Sequence, residues 1–109
     1  MVTELDKEIQ VFVQRVKETD TYRNYILQRD KIDRQPDLKK KIDEFRKRNF
    51  ELQNGDDSED LFDKIDAFQE ESEKFREDPM VDAFLTAELE FCRMMQKVYT
   101  TISDSLGFE

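Results

Sequence analysis

The sequence predicts an all-α protein: a bundle of about five helices, three long and two shorter, closed by a long C-terminal helix through which two copies pair. Three observations lead there. Apolar residues recur at spacings of three and four along nearly the whole chain, the repeat of one helix face. Helix-start and helix-stop residues fall in the gaps between these runs. No stretch carries a strand signal beside them. The 109 residues form one domain, 1–109, able to bury roughly two-thirds of its unfolded surface.

The first helix is expected from about Thr3 to Glu18, with Thr3 as cap and Asp6 three residues on, in the manner of a capping box. Leu5, Ile9, Phe12 and Val16 share one of its faces. A second, shorter helix starts at Asp20 or Thr21 and carries Tyr22, Tyr25, Ile26 and Ile32. It stops before Pro36, because the residue preceding a proline is pushed out of the helical region. Pro36 opens the third helix as its first residue, followed by Leu38, Ile42, Phe45, Asn49 and Leu52 on one face. Asn54-Gly55 is the expected left-handed stop.

Asp57 or Ser58 is expected to cap the fourth helix, where Leu61, Ile65, Phe68, Ser72 and Phe75 repeat the spacing. Asp78-Pro79 starts the last helix, which runs to about Leu106. Gly107 with Phe108 fits a Schellman ending. At about 1.5 Å per residue the third and fourth helices are each expected to span roughly 30 Å and the last about 40 Å.

The last helix is unusual in its faces. Asp82, Thr86, Glu90, Arg93, Lys97 and Asp104 gather in a strip of roughly 100°. The rest is nearly all apolar, from Met80 and Val81 through Leu89 and Tyr99 to Ile102 and Leu106. A helix longer and more apolar than its neighbours can cover is expected to pack against a second chain. Phe84, Leu85, Glu88, Phe91, Met94, Met95 and Val98 are the expected partner or dimer interface.

Composition narrows the chemistry. The net charge of -9 argues against direct nucleic-acid binding, which needs a basic surface. No apolar run approaches the roughly 20 residues needed to span a bilayer, and MVTELDKEIQ lacks the basic start and apolar core of a signal peptide. One cysteine, Cys92, excludes an internal disulfide, so a cytoplasmic location is expected. The chain has no histidine and two glycines, which removes His-based nucleophile systems, the helical metalloprotease motif and glycine-rich phosphate loops. No catalytic, metal or cofactor residue is assigned, and the chain is not expected to be an enzyme.

Charge is segregated along the middle of the chain. Residues 36–50 hold six bases, Lys39, Lys40, Lys41, Arg46, Lys47 and Arg48, against three acids, while residues 56–78 hold eleven acids against three bases. Two readings stand: antiparallel neighbours with opposite charges flanking their seam, or a basic docking patch for RNA or an acidic partner. Four residues stand out singly. Asn49 in an apolar seam either fixes register or is half-exposed. Glu88, amid Phe84, Leu85, Phe91 and Cys92, is either a structural carboxylate or a general acid. Cys92 is a small hydrophobe on a buried face or one ligand of a shared metal centre. Met94 and Met95 are core filler or an adaptable surface, with Met94 nearer the edge of the arc.

The segment DPMVDAFLTAELEFCRMMQKVYTTISDSLGF resembles the signature of the YlbF/YmcA family of small helical bacterial regulators, at Pro79, Val81, Phe84, Leu85, Ala87 and Glu88. Upstream, Tyr22, Tyr25, Pro36, Leu38, Ile42, Phe45, Leu52 and Gln53 also fit, so the resemblance runs from about Leu5 onward. It implies a dimeric helical fold and a regulatory, non-enzymatic role. Family members in spore-forming bacteria act in a multiprotein complex that influences competence, biofilm formation and sporulation and guides a membrane-anchored endoribonuclease. Some members of that complex bind iron–sulfur clusters through cysteines. This chain departs there: Cys92 lies inside the helix and no cysteine follows it.

The expected function is therefore that of a regulatory adaptor, pairing with itself and binding other proteins of a regulatory complex, with no nucleic acid or membrane contact and no cofactor. The alternatives are a metal- or carboxylate-dependent helical-bundle enzyme using Glu88, and an RNA-processing accessory using Lys39 to Arg48.

Overall fold

The computed structural model describes residues 3–54 and 60–108. They form five helices, α1 (Glu4–Lys17), α2 (Asp20–Asp33), α3 (Pro36–Asn54), α4 (Leu61–Phe75) and α5 (Pro79–Ser105), with no strand among the described residues. The all-α architecture and the helix order follow the sequence. The lengths differ in one place. α4 has 15 residues, about 22 Å at the helical rise, shorter than expected. It begins at Leu61 with Asp60 in the cap position, where the carboxylate makes no capping hydrogen bond to the first turn and lies 3.9 Å from the Lys64 ammonium. The expected cap at Asp57 or Ser58 and the stop at Gly55 lie outside the described residues.

Local chemistry explains the other ends. The Thr3 hydroxyl accepts from the Asp6 N–H at 3.1 Å and the Asp6 carboxylate accepts from the Thr3 N–H at 3.0 Å, the reciprocal capping box. Between α1 and α2 there is neither glycine nor proline. Thr19 makes the break: its hydroxyl donates to the Val16 carbonyl at 2.7 Å and accepts from the Tyr22 N–H at 3.2 Å. Such local bonds offer the backbone an alternative to continued helix. Pro36 and Pro79 each open a helix. Asp78 caps α5 by accepting from the Met80 N–H at 2.9 Å. At the far end Gly107 takes φ +68°, with bonds from Phe108 N–H to Ser103 at 2.8 Å and from Gly107 N–H to Asp104 at 3.2 Å. That is the Schellman pair.

The chain divides into two compact units, with boundaries inside α2 and α5: Arg29–Phe84 in one, and the described parts of Met1–Gln28 and Leu85–Glu109 in the other. Among the described residues of 29–84 the buried hydrophobics are Ile32, Ile42, Phe45, Val81 and Phe84. α3 and α4 run antiparallel there, Phe45 stacking on Phe68 at 4.7 Å and meeting Phe75 at 5.3 Å. The Arg48 guanidinium grips both carboxylate oxygens of Glu71 across this seam, one bond measuring 2.8 Å. Arg76 bonds Asp82 at 2.8 Å, tying the end of α4 to the first turn of α5.

The other unit is built differently. Tyr25 stacks on Phe91 and Tyr22 meets the same ring at 5.6 Å, so α2 is fastened to α5 through aromatic contacts. Among its described residues only Leu85 and Ala87 are buried hydrophobics. α1 contributes none.

Candidate functional site: an open apolar face on α5 and α1

Seven residues of α5 were expected at an interface. Phe84 and Leu85 are buried within their own chain. Glu88, Phe91, Met94, Met95 and Val98 are half-buried. Phe91 is fixed by the two tyrosines of α2. Glu88 is not unpartnered.

The expected interface stops at Val98, but the apolar face named from the sequence runs on to Ile102 and Leu106 and is most open there. Phe91, Met95, Val98, Ile102 and Leu106 share an arc of about 80° at 100° per residue. Exposure climbs along it, from half-buried at Phe91 to 50% at Ile102 and 76% at Leu106. α1 shows the mirror trend. Leu5, Ile9, Phe12 and Val16 fall within about 60° of arc, with exposures of 70%, 47% and 42% at the first three and Val16 half-buried. Scattered exposed apolar residues are ordinary, but two aligned rows on amphipathic helices are a binding-type surface. The signal was present in the spacing; what the spacing lacked was which part of each row the chain covers.

Other expectations resolve plainly. Cys92 is exposed, not on a buried face, because it sits about 100° around α5 from Phe91, whose ring α2 covers. Asn49 is also exposed and accepts from the Gln53 side chain at 3.3 Å, so it lies outside the apolar seam that Phe45 occupies. The opposite charges of α3 and α4 do flank their seam, through Arg48 and Glu71.

The hydrogen bonds from Arg48 hold the Glu71 carboxyl below its ordinary value, and those to Glu71 push the Arg48 guanidinium up. A cleft of about 280 Å³ beside this pair is lined by Lys41, Glu44, Phe45, Arg48, Glu71, Lys74 and Phe75. Its bases and acids largely offset one another, and it is smaller than most ligand sites, which run from about 300 Å³ upward. No group of three or more His, Cys, Asp or Glu among the described residues is placed to hold a metal ion. No helix is long and apolar enough to cross a membrane among them.

These features define an all-helical protein whose most prominent surface is a pair of open apolar helix faces. The chain belongs to the YlbF/YmcA family: residues 5–107 match the family described as "Control of competence regulator ComK, YlbF/YmcA". No curated protein and no solved structure matches it significantly.

Proposed function

We propose that this chain is a non-enzymatic regulatory adaptor of the YlbF/YmcA type, pairing with a second copy through the open end of α5 and binding other proteins of a regulatory complex. The observation that carries this reading is the unit of residues 1–28 and 85–109, whose described residues include two buried hydrophobics beside a row of apolar side chains running outward to Leu106. A few tens of residues with so little interior gain stability by covering apolar surface with another polypeptide, at about 25 cal/mol per Å². The family name supports a role in competence control.

The basic residues of α3 favour protein over RNA as partner. Lys39 pairs with Asp33 at 3.3 Å, Arg46 lies over the Phe84 ring at 5.9 Å and Arg48 holds Glu71. Half of the six bases thus have work inside their own unit.

Ile102→Glu tests the reading, since that side chain is half-exposed and the substitution leaves the buried residues untouched. Sedimentation equilibrium is expected to give a dimer for the native chain and a weakened one for the variant, with loss of the proteins captured from a native lysate. A native chain that stays monomeric at high concentration overturns the proposal.

A further inference from the structure

We infer that α1 is a self-complementary pairing helix, which docks antiparallel on α1 of a second copy and fixes the orientation of the dimer proposed above, on which this inference rests. Three observations on α1 carry it. Its apolar row is open, with Leu5, Ile9 and Phe12 all exposed, and a lone 14-residue helix is marginal in water. The row is palindromic: Leu5, Ile9, Phe12 and Val16 are spaced four, three and four. Turned end for end, it meets itself in register, Leu5 against Val16 of the second copy and Ile9 against Phe12. That self-matching is what a two-fold, isologous contact requires.

Charge supplies the third observation. The ionisable residues flanking the row are acidic in the first half and basic in the second: Glu4 and Glu8 precede Arg15 on one flank, and Asp6 precedes Lys17 on the other. In an antiparallel two-fold pair, like flanks face each other with opposite ends together. Glu4 and Glu8 then meet Arg15 of the second copy, and Asp6 meets Lys17. A parallel pair sets acid beside acid, and flanking charges of this kind choose orientation. The helix dipole also favours acids first and bases last, but a dipole acts on any side of the helix. Glu4 and Arg15 now hold local partners, Lys7 at 3.2 Å and Glu18 at 3.6 Å. Exposed pairs of this kind are weak and exchange readily.

Cross-linking reads the register. In a Cys92→Ser background, chains carrying Leu5→Cys mixed with chains carrying Val16→Cys are expected to be joined by a short bismaleimide. Either chain alone is not, because residues 5 and 16 lie roughly 16 Å apart along the helix. Charge reversal reads the orientation. Glu8→Lys and Arg15→Glu are each expected to weaken self-association by about fivefold, and the double reversal to restore it to within about twofold. Circular dichroism confirms that each variant keeps its helix content.

Linking of either cysteine chain with itself, or no link in the mixture, overturns the antiparallel register. A double reversal weaker than both single ones assigns the charges to the dipole and overturns the inference as well. A dimer that persists without these signatures removes this inference alone. A monomeric native chain removes it together with the function proposed above.

Discussion

Tyr25 and Phe91 lie stacked, ring centroids 5.1 Å apart and planes 13° from parallel, and this contact fastens α2 to α5 where buried side chains are scarce. Phe91 serves both Tyr25 and Tyr22, so removing its ring loses two aromatic contacts. Each such contact adds about 0.5–1.5 kcal/mol beyond area burial. Phe91→Ala is expected to destabilise the protein by about 2–3 kcal/mol, below the usual 3–5 for an interior phenylalanine because the site is half-buried. Urea denaturation followed by circular dichroism measures it. A loss under about 0.5 kcal/mol shows that the stack contributes little.

The Arg48–Glu71 pair sets a pH dependence. Arg48 hydrogen bonds hold the folded Glu71 carboxyl below its ordinary value of 4.5. A carboxyl whose folded value is lowered adds stability that is complete above the unfolded value and is lost as pH falls through the folded one. Arg48, pushed upward, stays charged throughout. Both side chains are about half exposed, so solvent screens the pair and its contribution at neutral pH is at most about 1 kcal/mol. Glu71→Gln is therefore expected to cost a fraction of a kcal/mol at pH 7 and nothing once Glu71 is protonated. Urea titrations at neutral and strongly acidic pH check this; a difference that grows toward acid reverses the sign and refutes it.

Helix ends were legible where the signal is local. Thr3 with Asp6, Pro36, Pro79 and Gly107 each act on the backbone within four residues, so sequence alone placed them. The break at Thr19 was legible only as a gap, since a threonine hydroxyl that ends one helix and starts the next leaves no proline or glycine behind. The candidate site was half legible. Spacing marked the apolar side of α5, but covering is a tertiary property: Phe84 and Leu85 turn out enclosed, while Ile102 and Leu106 stand open. The row on α1 is legible as one helix face, but nothing in Leu5, Ile9 and Phe12 says that their own chain leaves them uncovered.

Gly107 gives a local prediction. Its φ of +68° suits glycine, and nothing lies within 4 Å of an added Cβ, so Gly107→Ala meets backbone strain and no clash. The expected cost is about 1 kcal/mol. It should show as faster hydrogen exchange at the Gly107 and Phe108 amides, with amides near Phe91 unchanged. Acceleration spreading along all of α5 would mean that the last turn anchors the helix.

Cys92 is the chain's one thiol and is exposed. Iron–sulfur clusters need about four thiolates, so a cluster on this protein would require cysteines from elsewhere. Protein purified anaerobically is expected to lack cluster absorbance, and Cys92→Ser is expected to leave its thermal midpoint unchanged. Stoichiometric iron and sulfide that vanish in Cys92→Ser would make this residue a ligand.

The open rows of α1 and α5 also predict how stability responds to concentration. A chain that folds alone unfolds at one midpoint whatever its concentration. A chain stabilised by a second copy unfolds at a midpoint that rises with protein concentration, because association binds only the folded form. The second behaviour is expected here, since α1 and the last turns of α5 show no buried side chain and leave their apolar rows open. A hundredfold rise in concentration changes the association term by about 2.7 kcal/mol per dimer, enough to move the midpoint by several degrees in a domain of about 100 residues. Ile102→Glu should flatten this dependence while leaving the contacts of Phe45 with Phe68 and Phe75 in place. Calorimetry at several concentrations decides: a midpoint independent of concentration in the native chain means that these rows are stable against water by themselves.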